Sequence, residues 1–431
     1  MTKPDLSQLA QDPSCMDDYD PNAMSVAQAR QFIKQFLSPV TETEMLPIRA
    51  SLGRALAENI ISPFNVPAHD NSAMDGIAFR FEDAQSNNIS LPLKLIGTAF
   101  AGRPFTQKVG ASECVKIMTG AVIPQGADTV EMQERITWAS ETATLQQSLK
   151  QYQHIRHAGE DLKIGQTVLA QGHLINPADI GLLASLGIAE VPVFRNLKVA
   201  FFSTGDELVS VGKKLEEGQI YDSNRYTLFG MLSKLGAEIS DLGVVKDDPD
   251  LLEKTLLQAA QNNDVVITTG GVSVGEADHM KALLAKHGQV LFWKINMKPG
   301  RPLAYGKVQG INNKSAHYFG LPGNPVSAMV TFYQFVQPAL SALSGAASKP
   351  MPFFKVKCTQ AIKKNTGRTE FQRGILSQIE SGEWTVAPLP NQGSGVLSSM
   401  SAANCFIVLD ETVGNCEADA MVNVQVLEGI I

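Results

Sequence analysis

V-V-I-T-T-G-G-V-S-V-G-E-A-D, residues 265–278, joins an apolar run directly to a glycine-rich turn that carries hydroxyls and two carboxylates. The β-branched start, Val265–Ile267, is typical of a strand covered on both faces of a parallel sheet. The glycines then allow a tight turn that comes close to a ligand. Glu276 and Asp278 would repel a phosphate unless a divalent cation lay between them. The stretch therefore predicts an anion site with acids on its rim; the alternative is a turn that only caps the next helix.

This strand is one step in an alternation of strand and helix that begins near Leu197. L-K-V-A-F-F-S-T-G-D-E-L and E-I-S-D-L-G-V-V indicate strands, and helices are predicted over Asn224–Leu235 and Asp250–Gln261. Such alternation is typical of a doubly wound sheet with helices on both faces. Because ligands in these folds bind beyond the carboxyl ends of the strands, we expect the loop at 203–207 and the T-T-G-G-V-S loop to share one site.

In the rest of the chain the spacing of apolar residues changes several times between helical and strand patterns, which predicts a multidomain α/β plus β protein. A helix is expected over Val26–Leu37 with Ser25 as its N-cap, a second amphipathic helix from Met45 towards Pro63, and helical spacing over Ile175–Ile188. Short alternating runs between them indicate a β-rich insertion. The predicted parts are a flexible leader (1–24), a split N-terminal helical or mixed domain (25–65 and 164–196), the insertion (66–163), the α/β domain (197–345) and a C-terminal β domain (346–431).

Composition excludes several classes of protein. The 431 residues are 44% hydrophobic and 18% charged, with a formal net charge of −7. No apolar run approaches the roughly 18 residues of a membrane span, and an acidic chain does not suit nucleic acid as its main partner. No secretory signal is visible, so a cytoplasmic location is predicted. The five cysteines form no C-x-x-C pair and are expected to be reduced.

Acidic turns are the candidates for chemistry in the insertion. Asp70 and Asp75 enclose D-N-S-A-M-D-G, a short segment of small residues that suits an exposed loop presenting an acid. The alternative is an Asx turn, in which each aspartate accepts hydrogen bonds from its own neighbouring amides. Met118–Ala121 and Gly159–Asp161 are further turns at which a ligand could be held.

Two other groups of polar residues have competing interpretations. The D-D-P run at Asp247 follows a strand, where ligands bind, but it also suits a helix N-cap, as does Tyr221–Asn224. Lys294, Lys298 and the turn L-P-G-N-P at 321–325 form a basic, proline-rich stretch that suits a small oxyanion, or else a solvated face. The sequence contains neither an H-E-x-x-H zinc motif nor a G-x-S-x-G elbow after a strand, so electrostatic positioning of a polyanion is the predicted chemistry.

Taken in order, D-N-S-A-M-D-G, I-M-T-G-A, S-T-G-D-E-L, Q-I-Y-D-S-N, D-D-P, T-T-G-G-V-S-V-G-E-A-D, K-P-G-R-P and L-P-G-N-P-V-S resemble the MoeA family of molybdenum cofactor biosynthesis. The likeness covers nearly everything after about residue 25. Family members are similar to the gephyrin E domain and form homodimers of four-subdomain chains. The resemblance implies a molybdopterin-binding α/β domain, a split N-terminal domain with a β-rich insertion and a β-barrel-like C-terminal domain.

The activity implied by the resemblance is that of a molybdopterin molybdenumtransferase: molybdate enters adenylylated molybdopterin, AMP is released in a Mg²⁺-dependent step, and molybdenum cofactor is formed. The catalytic positions implied are Asp75, Glu207, Asp247 and Asp278, and the metal positions are Glu207, Asp247, Glu276 and Asp278. The substrate-binding positions implied are Thr119, Asp161, Ser203, Thr204, Gly205, Thr269, Gly270, Gly271, Ser273, Lys294, Lys298, Pro322, Pro325, Arg368 and Ser394. In a homodimer, Asp75, Thr119 and Asp161 would come from the other subunit.

The chain departs from the family pattern before the G-E-D turn, where R-H-A replaces a more arginine-rich run and leaves only Arg156. Two other functions are kept as alternatives: a MogA-like molybdopterin adenylyltransferase, and a dimeric scaffold without catalysis. The additional domains argue against the first, and the ring of acids around a glycine loop argues against the second. Molybdopterin adenylyltransferase and molybdoenzyme-maturation proteins are possible partners; neither nucleic acid nor a membrane is expected.

Overall fold

The computed structural model describes residues 23–84, 92–145, 150–270, 278–312, 314–347 and 352–427. The predicted leader therefore lies almost entirely outside the described residues. The chain forms two compact units. The larger unit comprises Met1–Leu46, Ser51–Ala57 and Pro192–Ile431, and the smaller unit comprises Pro47–Ala50 and Glu58–Val191. The predicted boundaries between finer domains stay predictions.

The α-helices are α1 (Val26–Phe36), α2 (Pro177–Ser185), α3 (Ser223–Lys234), α4 (Pro249–Asn262), α5 (Asp278–His287), α6 (Pro325–Thr331), α7 (Gln337–Leu343) and α8 (Leu397–Ala402). A π-helical turn, Phe332–Val336, lies between α6 and α7. The predicted helices at α1 to α4 are confirmed within one to three residues at each end. Ser25 caps α1 as predicted, in a reciprocal capping box with Gln28.

The strands before the α/β domain are β1 (Thr43–Pro47), β2 (Ile60–Ile61), β3 (Asn71–Ser72), β4 (Gly76–Phe79), β5 (Pro92–Ala99), β6 (Glu113–Ile117), β7 (Thr129–Met132), β8 (Ile136–Ala139), β9 (Thr142–Leu145), β10 (Ile155–Arg156), β11 (Thr167–Leu169) and β12 (Glu190–Phe194). The next are β13 (Lys198–Thr204), β14 (Leu208–Val209), β15 (Ile220–Tyr221), β16 (Glu238–Val245), β17 (Val265–Thr269), β18 (Gly288–Lys294), β19 (Met297–Lys298), β20 (Pro302–Gln309) and β21 (Ser315–Leu321). The last are β22 (Phe353–Cys358), β23 (Thr369–Gln378), β24 (Trp384–Pro388), β25 (Cys405–Leu409) and β26 (Met421–Val426).

The prediction of a second helix from Met45 towards Pro63 is wrong. This segment contains β1, a 3₁₀ turn at Ile48–Ala50 and β2. Gly53 adopts a positive φ of 75°, so an α-helix cannot run through this position, and Pro47 ends β1. The apolar residues do not form one buried stripe either, since Leu52 is 54% exposed.

The larger unit contains the predicted doubly wound sheet, in the strand order β16–β13–β17–β21–β20–β18. The first four of these strands are parallel, and β20 is antiparallel to both of its neighbours. Residues of α1, α3 and α6–α7 pack on the face of Phe201 and Ile267, and residues of α4 and α5 pack on the face of Phe202 and Val266. The fold class is therefore confirmed, with helices covering both faces.

The C-terminal strands of the same unit close into a barrel, β23–β24–β22–β26–β25 and back to β23. Its interior is apolar and includes Val356, Leu376, Val386 and Ile407. The short strand β19 continues one edge of β23, with Met297 opposite Thr369. This pairing joins the basic segment after β18 to the barrel.

The smaller unit is built on a sheet of order β7–β4–β6–β5–β9–β8. Side chains alternate along β4, so that Ile77 and Phe79 enter one apolar cluster and Ala78 enters the other. Beside this sheet, β3 pairs antiparallel with β10, which places Asn71 opposite Arg156. The predicted β-rich insertion is thus a two-faced sheet with a small strand pair at its side.

Within the described ranges, no helix is long and apolar enough to cross a membrane. Cys114, Cys358, Cys405 and Cys416 are free thiols, as predicted. Burial raises the pKa of Cys114 and of Cys405 to about 12, so both remain protonated at neutral pH. Cys114 and Cys405 therefore belong to the core and are not candidates for nucleophilic catalysis.

Candidate active site

The carboxyl ends of the parallel strands bring several predicted residues to one edge of the sheet. Ser203 is opposite Thr269, and Thr269 is opposite Leu321 on the next strand. Thr204 is opposite Val245 on the other side. The loops that continue from these strands therefore meet at this edge; they carry the predicted residues Gly205, Glu207, Asp247, Gly270, Pro322 and Pro325.

Gly270 is the point at which two of these loops touch. Its φ is +86°, and a Cβ at this position would lie 2.3 Å from the carbonyl oxygen of Thr204. Only glycine fits such a close approach in this conformation. Gly271, Ser273 and Glu276, which follow in the predicted anion loop, lie outside the described residues. Asp278 begins α5, but its side chain also lies outside what the structure describes.

Asn224, in the first turn of α3, holds this edge together. Its Nδ2 donates to Thr269 Oγ1 at 2.7 Å and to the carbonyl oxygen of Gly323 at 2.7 Å. The side chain is buried. The sequence left Tyr221–Asn224 open between a ligand position and a helix cap, and Asp222 does cap α3 by accepting from the N–H of Arg225. The role of Asn224 was missed because its partners are 45 and 99 residues away.

The hydroxyls of the T-T pair face opposite sides of the sheet. Thr268 Oγ1 is hydrogen-bonded to the Tyr318 hydroxyl at 2.5 Å inside the core, so this hydroxyl is not available to a ligand. Burial raises the pKa of Tyr318 and keeps its hydroxyl protonated. Ser203 Oγ and Asp222 Oδ2 are buried without a hydrogen-bond partner among the described residues. The candidate edge thus holds polar atoms that no described residue satisfies.

The predicted basic residues lie at the same edge, because β18 runs parallel to β21 and ends at Lys294. Lys298 lies in β19, where its Nζ is 3.7 Å from Glu370 Oε1 of the barrel. Arg368 directly precedes the barrel residue Thr369 that pairs with Met297. The basic stretch is therefore not a uniformly solvated face: it is the joint between the sheet edge and the barrel.

A barrel loop completes this region. Val326, in the first turn of α6, donates its N–H to the carbonyl oxygen of Ser394 at 3.1 Å, which brings Ser394 beside the L-P-G-N-P turn. Arg373 fixes the loop from inside: its guanidinium donates to the carbonyl oxygens of Asn391 and Gly393 and to Ser399 Oγ. It is 1% exposed, and burial lowers its pKa. The sequence resemblance implied Arg368 as a substrate-binding residue, and the structural role of buried Arg373 was missed.

The acidic residues of the edge offer oxygen ligands that suit Mg²⁺. Glu207 and Asp247 follow neighbouring strands, β13 and β16, and supply the oxygen donors that this ion prefers. Among the described residues no three acids, histidines or cysteines are grouped for a metal. Mg²⁺ is commonly held by one or two carboxylates together with substrate phosphates and water, so this donor set fits a substrate-borne ion. Asp248 caps α4 by accepting from the N–H of Leu251, so the capping interpretation of D-D-P holds for Asp248.

In the smaller unit, Asp75 and Thr119 are directly bonded. One oxygen of Asp75 accepts from the N–H of Thr119 at 2.7 Å and from its hydroxyl at 2.8 Å. Asp70 accepts from the N–H of Ala158 at 2.7 Å, and its other oxygen faces His157. The Asx-turn alternative is therefore wrong for both aspartates, since each bonds a segment far along the chain. These bonds fix the M-T-G-A and G-E-D turns around D-N-S-A-M-D-G.

The hydrogen bonds from Thr119 hold the pKa of Asp75 below its ordinary value, with the backbone N–H as the larger cause. Because the pKa is lowered in the folded chain, these bonds favour folding at neutral pH, and their contribution is lost as the pH falls through the lowered pKa. We expect Thr119→Val, which removes the hydroxyl, to raise the pKa of Asp75, as measured by NMR titration of its carboxyl carbon. Thr119→Ser keeps the hydroxyl and should leave the midpoint unchanged; equal midpoints for Val and Ser would contradict the assignment.

A cavity of about 260 Å³ opens beside this pair. Thr119 and Asp161, both predicted to bind substrate, line it together with Val66, Pro67, Asn71 and Arg156. Ser72, Gly120 and Glu160 complete the wall. The fold thus brings two separate turns of the insertion to one concave surface, with Asp75 bonded to its rim.

The fold and site define a multidomain protein with a molybdopterin-binding type of α/β domain. Residues 24–187 match the family described as MoeA N-terminal region, residues 200–342 the probable molybdopterin binding domain, and residues 355–427 the MoeA C-terminal region. A molybdopterin molybdenumtransferase of Haemophilus influenzae is 48% identical over 93% of this chain and 98% of its own length. One from Nostoc sp. is 35% identical over 85% of each chain.

Solved structures agree with the sequence matches. The MoeA protein of Pyrococcus horikoshii superposes with a TM-score of 0.81 at 30% identity, covering 94% of this chain and all of its own. The chain belongs to the MoeA family, and the resemblance read from its motifs is confirmed.

Proposed function

We propose that this protein is a molybdopterin molybdenumtransferase that inserts molybdate into adenylylated molybdopterin, releases AMP and yields molybdenum cofactor. The observation that carries the proposal is the convergence of Gly270, Lys294, Pro322 and Ser394 with the strand exits at one edge of the α/β sheet. A polyanion placed there meets a glycine turn, a lysine and a polar loop. The family and its transferase relatives support the same activity.

The contribution of the chain would be electrostatic positioning. Thr269, held by Asn224, would fix the substrate at the exits of β13 and β17. Lys294 and Lys298 would neutralise charge on the phosphates and on molybdate. Mg²⁺, held by Glu207 and Asp247 and by Glu276 and Asp278 of the adjoining segment, would stabilise charge on the pyrophosphate bridge. No covalent nucleophile is required.

A homodimer is part of the proposal, with Asp75, Thr119 and Asp161 supplied to the site by the other subunit. Large apolar side chains on the α/β domain support an interface: Ile220 is 55%, Tyr226 49% and Phe229 50% exposed. We also propose a cytoplasmic location, with molybdopterin adenylyltransferase and molybdoenzyme-maturation proteins as partners.

The two alternatives are less well supported. A MogA-like adenylyltransferase would need the α/β domain alone, whereas the barrel here is joined to the sheet edge through β19 and Ser394. A scaffold would not need buried polar groups at that edge such as Ser203 Oγ and Asp222 Oδ2, which find no partner in the part of the chain that the structure describes.

The first test is AMP release from adenylylated molybdopterin by the purified chain, with and without molybdate and Mg²⁺. We expect release only when both are present. Release without molybdate would contradict molybdenum insertion, and tight binding without any release would favour the scaffold.

A further inference from the structure

Lys298, a predicted substrate-binding residue on β19, faces an acid of the barrel. Its Nζ lies 3.7 Å from Glu370 Oε1 on β23. This distance is longer than an N–H···O hydrogen bond, which spans about 2.7–3.2 Å, so the pair is electrostatic and leaves the N–H donors of the ammonium for an anion. The lysine side chain is 62% exposed and the glutamate side chain 9%. The cation can therefore move to meet a ligand, whereas the acid is confined.

Glu370 is held in place by its surroundings. In the backbone pairing it lies opposite Lys298 of β19 on one side and opposite Leu409 of β25 on the other. Its Oε2 accepts a hydrogen bond from Gln372 Nε2 at 2.8 Å, and both side chains are buried. Because residues two apart on a strand share a face, this bond keeps the carboxylate in one orientation, with Oε1 towards Lys298.

The charge of Glu370 is offset from a second direction. A buried carboxylate needs a cation, because removing a charge from water is costly. Lys364 is another cation within electrostatic reach of Glu370. It is buried, and its Nζ donates to the carbonyl oxygens of Asn365 at 3.1 Å and Val413 at 2.7 Å, which fix it in its loop. Lys364 therefore stays beside the acid, while Lys298 is able to exchange Glu370 for an anion.

We propose that Glu370 is a positioning residue for Lys298: it holds the ammonium at the joint between β19 and the barrel until an anionic group of the substrate replaces it. A lysine has a long flexible side chain, and ordering it in advance lowers the entropy that is lost when it binds an anion. Gln372 supports this role by fixing the carboxylate. The proposal rests on the proposed function, in which Lys298 neutralises charge on phosphate and molybdate.

The pair itself is tested without substrate, by acetylation of the full chain with limiting acetic anhydride and quantification of each lysine by mass spectrometry. Glu370→Gln keeps the size of the side chain and an acceptor for Gln372, but removes the charge. Because a carboxylate stabilises the ammonium over the reactive amine, we expect Lys298 to be acetylated about two- to fivefold faster in this variant. Glu383→Gln is the matched control, since Glu383 pairs with Lys357 at 2.8 Å on the same barrel. It should accelerate Lys357 and leave Lys298 unchanged.

The consequence for the reaction is measured on the same preparations as AMP release. We expect Glu370→Gln to release AMP about tenfold more slowly, because the lysine is no longer held in place. Lys298→Met should be at least as slow, and adding Glu370→Gln to it should cause no further loss, since the acid acts through the lysine. Glu370→Asp keeps the charge but withdraws it from Lys298, so it should recover part of the rate. Glu383→Gln should match the parent.

Two results would overturn the positioning role: equal acetylation of Lys298 in the parent and in Glu370→Gln, or a rate loss that adds in full to that of Lys298→Met. If Glu370→Gln does not fold, the same comparisons apply to Glu370→Asp, with smaller changes of the same sign. The proposed function fails separately. Faster acetylation of Lys298 in Glu370→Gln, without any AMP release by the parent, rejects only the transferase. Molybdate-dependent release that Glu370→Gln leaves unaltered rejects only the positioning role.

Discussion

Gly76→Ala is expected to disrupt the smaller unit at the residue that follows Asp75. A Cβ on Gly76 would lie 1.8 Å from the carbonyl oxygen of Glu131. The strand cannot move aside, because β4 pairs with β6 on one side and with β7 on the other, and Gly76 is opposite both Ile117 and Met132. We expect the free energy of unfolding of this unit to fall by about 3 kcal/mol or more, since the clash is with backbone and not with a flexible side chain.

Amide hydrogen exchange over β4, followed by mass spectrometry, measures the loss of stability directly. AMP release measures the accompanying loss of activity. Exchange at Ile77 and Ala78 should accelerate, and release should fall with it because Asp75 and its Thr119 partner lose their fixed geometry. Gly181→Ala is the matched control: this glycine lies in α2 of the same unit, and its Cβ would meet nothing within 4 Å. It should be neutral or stabilising by about 0.5–1 kcal/mol. Equal exchange in the two variants would show that the β4 backbone tolerates the added methyl.

Much of the architecture could be predicted from local pattern. The apolar run Val265–Ile267 and its flanking helices specify a doubly wound sheet, because period and length are visible in sequence. The edge that carries the site follows from the same pattern, since the carboxyl ends of parallel strands meet. The helix predicted after Met45 shows where local pattern is insufficient. Its apolar spacing suits a helix, but Pro47 and Gly53 are signals of a turn or loop in the same segment.

The details of the site could not be predicted, because they depend on partners far along the chain. Nothing near Asn224 indicates that it bonds Thr269 and Gly323 at once. The bond between Val326 and Ser394 likewise exists only because the barrel closes beside α6. Thr268 and Thr269 are adjacent hydroxyls of the same type, and only the two faces of the sheet separate a core bond from a ligand position.

Arg373→Met is expected to lower both the stability of the barrel loop and the activity. The methionine keeps a long side chain on this face of β23 and removes a buried charge whose hydrogen bonds go to two backbone carbonyls and a serine hydroxyl. The carbonyls it would leave, at Asn391 and Gly393, belong to exposed residues and can turn to water. We therefore expect a loss in the free energy of unfolding of about 1–3 kcal/mol.

The activity should fall as well, because the loop that Arg373 holds carries Ser394 to the start of α6. The backbone of Arg373 also exchanges hydrogen bonds with the side chain of Gln392, so the loop stays attached but loses its inner support. A displacement of about 1 Å at a substrate-positioning group costs on the order of a hundredfold in rate. We expect AMP release to fall by about that factor, with a higher molybdate concentration needed for half-saturation.

Lys357→Met is the matched control, because it also replaces a cation on a barrel strand. Lys357 is half exposed and pairs with Glu383 at 2.8 Å, and such a surface ion pair contributes little to stability. It should leave both the release rate and its molybdate dependence unchanged. If Arg373→Met lowers stability and rate but leaves the molybdate dependence as in the parent, the loop positions a part of the substrate other than molybdate.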